Sequence, residues 1–432
     1  MRITTFIKTA FLFCLLSSGG QLPLGAEPLA SSAKKDSGQQ ALKDQKILVH
    51  YMPWYASKSF SGEWGWHWTM NHFDPDKKGR EGKRLLASHY RPLIGPYDSN
   101  DPDVLECQVL LMKLSGIDGV IVDWYGKNDF NDYAAIHRNA VHLVQYLKRA
   151  GLNFAVCYED RTVGQMIKGG ALKAEDAVLH GRDTLRWLQA NWFNREAYLK
   201  INKKPIMMVF GPMHYSRQQW QGIFDGLDHP PLLFSLPHLS QKAGADGIFG
   251  WVPVHAGKKM SPAQWRGYLD GIYNRGKRGE QVIATVFPGF HDIYQEAGLH
   301  QSYGFIDDNG GVTFKETLEI ALRSESRFIQ VATWNDYGEG TMIEPTVSFG
   351  YRYLEVLQEC ALKRQGKEFV FAPDDLRLPV KLYNLRKRFK GDGQALEELK
   401  RVSGLLFSSR CEEAAALLQK VADSHEGKRL RL

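Results

Sequence analysis

The chain predicts a (β/α)8 TIM barrel with a small C-terminal helical extension, and three observations carry that prediction. Eight short, apolar, β-prone runs recur along it. Amphipathic, helix-like stretches lie between most of them, the pattern of parallel strands joined by crossover helices. Beyond Pro373 the strands cease and only helical patterns remain. A doubly wound open sheet is the rival architecture, and a count of eight runs disfavours it.

At the N-terminus, Arg2 and Lys8 precede the apolar segment Thr9 to Leu16, and small residues lead to Leu24-Gly25-Ala26. That is the pattern of a secretory signal peptide over 1–26, too short for a membrane span. Cys14 lacks the small residue that usually precedes a lipidated cysteine, so export is expected rather than a lipid anchor. The predicted location is periplasmic or secreted, with no membrane span after signal removal. Residues 27–46 are polar and read as a flexible linker, with order expected from Ile47.

The barrel is predicted over 47–373. Its strand candidates are Ile47–Tyr51, Gly119–Trp124, Asn153–Tyr158, Pro205–Phe210, Leu232–Leu236, Gly247–Val252, Val282–Phe287 and Phe328–Thr333. Helix candidates are Pro102–Ser115, Asp132–Ala150, Lys173–Trp192, Arg217–Gly226, Pro262–Arg275, Phe314–Ser324 and Tyr351–Lys363. The stretch around Gln241-Lys242-Ala243 is too short for a helix of its own. Leu376–Phe389, Ala395–Leu406 and Cys411–Ala422 form the predicted helical extension over 374–432.

Composition narrows the function. A hydrophobic fraction of 43% and a charged fraction of 24% are ordinary for a globular protein. The aromatic fraction of 12%, with 11 Trp and 18 Tyr, suits stacking on sugar rings. A formal charge of +7 is mild, and the basic residues are scattered, so no nucleic-acid footprint is present. Cys107, Cys157, Cys360 and Cys411 are widely spaced; they permit disulfides but resemble no zinc site. Cys157 lies in an apolar run, where a packed free thiol is the common outcome. Asp307-Asp308-Asn309-Gly310-Gly311 lacks the ligand spacing of a calcium loop and reads as a turn. No metal or cofactor is expected.

Active sites of such barrels sit at the C-terminal strand ends. There the first strand leads into Tyr51, Trp54 and Tyr55, and its long loop carries His67 and Trp68. The second ends in Asp123, Trp124 and Tyr125, and the third in Glu159. Trp251 follows the sixth and His291 the seventh. The last strand runs into Thr333-Trp334-Asn335-Asp336-Tyr337-Gly338-Glu339. Glycosidic cleavage needs one acid to protonate the leaving oxygen and a second carboxylate to generate or replace the nucleophile. Glu339 and Asp336 are the candidates for that pair, with the other residues as the substrate surround. The alternative is that Asp336 caps a turn and Glu339 is a solvated loop charge.

Read together, these motifs resemble glycoside hydrolase family 99, the endo-α-mannosidases. His50-Tyr51-Met52-Pro53-Trp54-Tyr55, His67-Trp68, Ser88 to Ser99 and Gly116-Ile117-Asp118-Gly119 follow that family's order. So does the final-strand motif through Glu344-Pro345, with Asp336 where family 99 has glutamate. An Asn-Asp-x-Gly-Glu run is closer to family 71, the α-1,3-glucanases. The resemblance implies Glu339 as general acid and Asp336 as its partner, and places Glu159 in the substrate site. It implies retention through the sugar's own 2-hydroxyl if the family 99 chemistry holds, and inversion through water if the family 71 chemistry does. The expected partner is a mannan-like polysaccharide or oligosaccharide. Two further readings are a carbohydrate-binding barrel without catalysis, and a metal-dependent hydrolase using His50, His67, His89, Asp123 or His291.

Overall fold

The computed structural model describes residues 42–429 apart from 80, 81, 83 and 325. The expected signal segment and most of the expected linker lie outside the described residues. The last linker residues are held in place. The buried Arg364 guanidinium donates to the carbonyls of Leu42 and Gln45 and pairs with Asp118 at 2.8 Å. Asp118 also accepts from the amide of Ile47 at 2.7 Å. The charge is compensated on both sides, which a buried ion pair requires. Order therefore begins before Ile47.

Eight parallel strands close into a ring. They are β1 (Lys46–Tyr51), β2 (Gly119–Trp124), β3 (Asn153–Tyr158), β4 (Lys204–Val209), β5 (Leu232–Ser235), β6 (Gly247–Phe249), β7 (Gln281–Val286) and β8 (Phe328–Val331). β1 pairs with β2 and β8, with Val49 opposite Val120 and Val331. The ring closes where β3 meets β4, Val156 opposite Met207. Strands covered on both faces read as near-continuous apolar runs, which is why they stood out in the sequence. Gly119 is required at its position: a Cβ there would lie 2.6 Å from the carbonyl of Asn153 on β3.

Around the ring lie α1 (Pro102–Leu114), α2 (Tyr133–Ala150), α3 (Arg161–Lys168), α4 (Ala177–Leu188), α5 (Arg217–Phe224), α6 (Pro262–Lys277), α7 (Val312–Leu322) and α8 (Arg352–Gln365). Asp101 caps α1, accepting from the amide of Asp103, with Pro102 as its first residue. Ser261 opens α6 with a capping box to Gln264. The helix α3 was not expected, because its few apolar positions, Val163 and Met166 among the buried ones, are too sparse for a clear periodic signal. β6 and β8 end earlier than predicted. Beyond Phe249, Trp251 donates its amide to the Tyr268 hydroxyl instead of a neighbouring strand. The stretch around Gln241-Lys242-Ala243 makes a single turn, Ser240–Ala243.

Of the C-terminal helices α9 (Leu378–Arg388), α10 (Gly393–Phe407) and α11 (Cys411–Arg429), α9 packs on the outside of α1, and α10 and α11 pack on α9 and on each other. Arg386 pairs with Asp103 and Glu106, and Lys387 with Asp101 and Asp103. Arg149 lies over the ring of Phe407, 3.9 Å from its centre. All the described cysteines are buried and free. Asp307 accepts from the amide of Asn309, so that segment makes the expected turn. A small side sheet of Lys258–Lys259, Phe290–His291 and Gly304–Ile306 joins the loops after β6 and β7. It ties both loops to the barrel mouth.

Candidate active site

The loop after β8 is built on a buried polar frame. The Asn335 side chain accepts from the amide of Met52 at 2.8 Å and donates to its carbonyl at 3.0 Å, locking this loop to the end of β1. Glu344 accepts from Gln108 at 2.6 Å, from Tyr97 at 2.9 Å and from Tyr337 at 2.8 Å. The Tyr55 hydroxyl donates to the carbonyl of Asn335 and accepts from the amide of Tyr337. Every one of these groups is buried with its partners, as interior polar atoms must be.

On that frame Asp336 and Glu339 stand side by side. The Glu339 amide donates to Oδ1 of Asp336 at 3.0 Å, closing a tight turn. The amides of His291 and Ile293 donate to the carbonyls of Glu339 and Gly338, at 2.9 and 3.0 Å. Gly340 makes this approach possible: its φ is +66°, and a Cβ would lie 2.5 Å from the carbonyl of His291.

Carboxylates crowd this mouth. Burial, then the charges of Asp336 and Asp292, push Glu339 well above the ordinary carboxylate range. Burial and Asp123 raise Asp336, opposed by the backbone N–H groups of Glu339 and Gly338. Burial raises Asp123, and burial with Asp123 raises Glu159. Arg161 faces this cluster, 3.0 Å from Oε2 of Glu159, and lowers all but Asp336. Oε2 of Glu159 is ion-paired with Arg161, whereas Oδ2 of Asp123 and Oε2 of Glu339 are buried with no hydrogen-bonding protein partner. Such atoms suit the hydroxyls of a sugar.

A cleft of about 860 Å³ adjoins the mouth, lined by Trp54, Tyr55, His67 and Tyr125 together with Trp64, Trp66, Asp132 and Arg161. Trp54 stacks on His67, ring centres 4.1 Å apart at 6°. Trp251 borders a second cavity of about 500 Å³ and meets His50 edge-on at 4.9 Å. His291 stacks on His89 at 3.7 Å. A cavity of about 440 Å³ lined by Phe234, Gln281 and Phe328 lies at the opposite barrel end and holds none of these groups.

Several expected substrate contacts are instead scaffold. Side chains alternate across a strand, so with His50 and Asp123 facing inward, Tyr51 and Trp124 face outward. Tyr51 donates to Gln108 at 2.6 Å, and Trp124 packs among Trp187, Trp192 and His137 under the helices. Trp68 donates to the carbonyl of Tyr97 at 2.7 Å. Trp334, Asn335 and Tyr337 are fully buried in the frame below the carboxylates, and Tyr55 is 1% exposed. Asp292 was passed over. It is buried, one oxygen accepts from the amide of Tyr303 at 2.7 Å, the other has no partner, and its charge acts on Glu339.

The five residues of the metal-hydrolase reading do not converge. His67 stacks on Trp54 and His89 on His291, which leaves His50 and Asp123 together at 4.0 Å. Burial lowers His50 to about 4, so its ring is neutral at ordinary pH.

No family model matches the chain. It is 32% identical over 351 residues to the glycoprotein endo-alpha-1,2-mannosidase-like protein of Danio rerio, covering 70% of this chain and 71% of that one. The Rattus norvegicus glycoprotein endo-alpha-1,2-mannosidase is 22% identical over 388 residues, 79% of this chain and 80% of that one. The ascus wall endo-1,3-alpha-glucanase of Schizosaccharomyces pombe is 31% identical over 104 residues, 24% of this chain and 22% of that one. Two structures of the GH99 endo-alpha-mannosidase from Bacteroides thetaiotaomicron superimpose with TM-scores of 0.56 and 0.54 at 18% and 19% identity. Each spans 76% of this chain and 97% of its own.

Proposed function

Because the chain belongs to the endo-α-mannosidase family of glycoside hydrolases, family 99, we propose that it is an exported enzyme cleaving α-mannosidic bonds of a mannan-like glycan with Glu339 and Asp336 as its carboxylate pair. The observation that carries this is the turn joining Asp336 Oδ1 to the Glu339 amide at the barrel mouth, where burial and the neighbouring carboxylates raise the Glu339 carboxyl well above its ordinary range. A protonated Glu339 donates its proton to the leaving glycosidic oxygen. Burial raises Asp336 to about 7, against the pull of the N–H groups of Glu339 and Gly338, and in its ionised form it removes a proton from the sugar's 2-hydroxyl or from water. Asp123 and Glu159 take sugar hydroxyls, and Trp54, His67, Tyr125 and Trp251 offer ring faces or edges.

A second reading has its own support. Asp336 is one methylene shorter than the glutamate of the family pattern, and the glucanase match points the same way. A retracted carboxylate leaves room for water and favours inversion, since inverting pairs are spaced about 6.5–9.5 Å and retaining pairs about 5–5.5 Å. An NMR time course of the first-formed anomer from an α-mannan and an α-1,3-glucan separates the two. Retained product from mannan supports the first reading, and inverted product from glucan the second. No product from either overturns both. Asp336→Glu should raise the rate under the 2-hydroxyl mechanism and lower it under the water mechanism.

A further inference from the structure

At the floor of the mouth, three donors from neighbouring strands face one another. Nε2 of His50 on β1 lies 4.0 Å from Oδ1 of Asp123 on β2. With Sγ of Cys157 on β3, these ligand atoms all fall within 4.8 Å of one another. Asp123 and Cys157 are register partners, so they stand at one level of the barrel. All three residues are buried.

Gln330 on β8 decides which nitrogen of His50 carries the proton. Its Nε2 donates to the carbonyl of Gly250 at 2.6 Å, which turns Oε1 toward Nδ1 of His50 at 3.3 Å. An amide oxygen only accepts, so Nδ1 is the N–H and Nε2 holds the lone pair. That lone pair lies toward a carboxylate, and Oδ2 of Asp123 has no hydrogen-bonding protein partner. A shared cation satisfies such an arrangement, and imidazole, carboxylate and thiol together suit a borderline-soft metal. A histidine whose far N–H is held by an oxygen acceptor is also the usual posture of a metal ligand.

We propose that His50, Asp123 and Cys157 form a site for a borderline-soft divalent cation such as Zn²⁺, beneath the sugar pocket. Bond lengths of about 2.0–2.3 Å put tetrahedral donors roughly 3.3–3.8 Å apart, so the donors close by at most about 1.5 Å on binding. Cys157 releases its thiol proton to solvent and binds as thiolate. The cation takes Asp123 away from the glycan and so inhibits the enzyme. That last step rests on the function proposed above.

Co²⁺ added to the purified protein tests the site through the cysteine-to-cobalt charge-transfer band in the near ultraviolet. One ion per chain with this band is expected. Cys157→Ala and Cys157→Val should lose the band and bind at least about tenfold more weakly. Thermal melts confirm that both variants fold, and the valine variant leaves no cavity. Zn²⁺ should then slow glycan cleavage by the parent and spare the variants, whose metal-free rates match it. A parent without the band overturns the site, as does a band that survives in both variants. Cobalt binding is read without glycan, so a metal-binding chain that cleaves nothing overturns only the enzymatic reading.

Discussion

Glu344 and Glu339 lie on one loop in opposite surroundings. Glu344 is ringed by donors: Gln108 on one oxygen, Tyr97 and Tyr337 on the other. Glu339 has the carboxylates of Asp336 and Asp292 for neighbours, opposed in part by a hydrogen bond from Trp251 and by the Arg161 charge. Burial raises both, Glu344 to about 7, so burial is not what separates them. The neighbours do. Donors make Glu344 a structural joint between α1, the loop before it and the β8 loop, whereas like charges add to the rise of Glu339, whose proton the proposed mechanism uses.

The largest effect should come from breaking the reactive half of this pair. Glu339→Gln keeps the shape and removes the transferable proton. Cleavage of an unactivated glycoside should fall by about 10²–10⁴-fold, the range for acid–base catalysis, with an unchanged thermal midpoint. Asp336→Asn should be comparably harmful. A Glu339→Gln enzyme within a few fold of the parent rate would remove Glu339 as the acid.

Breaking the structural half should cost stability first. Glu344→Ala strands the Gln108, Tyr97 and Tyr337 donors, each at about 1–3 kcal/mol when buried and unpaired. Urea unfolding should show a lower midpoint with little change in slope. If Glu344→Ala kept its stability and lost only its rate, the division between the two glutamates would be wrong.

The crowded carboxylates also set how stability varies with pH. Asp123, Asp336 and Glu159 have folded-state values raised to about 7, about 7 and about 8. Unfolded, they titrate near about 4. The folded protein thus holds more protons over that interval, and stability falls as pH rises. Thermal midpoints should drop between pH 5 and pH 8, and Asp123→Asn should flatten the drop. A midpoint that rises over this interval would contradict the raised values.

The fold was legible because a closed parallel barrel buries its strands on both faces. β2 and β3 appear in the sequence residue for residue. The site was legible less evenly. Motif order drew Asp336, Glu339, Asp123 and Glu159 together, but it could not tell inward from outward positions. Tyr51 and Trp124 were therefore misplaced by one residue of strand alternation. Aromatic residues such as Trp68 and Trp334 read alike whether they line a cleft or fill the wall behind it. Asp292 was hidden for another reason. Its importance comes from the side sheet that folds the β7 loop back on the β8 loop, a contact between distant segments that no local pattern announces.

Asp292 gives the smallest and sharpest effect. Asp292→Asn removes a negative charge near Glu339 while keeping an oxygen to accept from the Tyr303 amide. Losing that charge lowers the Glu339 pKa, because a nearby anion favours the protonated acid. The protonated form then disappears at lower pH as the solution is made alkaline. In the pH profile of kcat/KM, the alkaline limb of the variant should move toward acid while the acidic limb stays in place. Near the optimum the rate should stay close to that of the parent. A uniform fall across the whole profile would make Asp292 a prop for the loop, with no hold on the proton of Glu339.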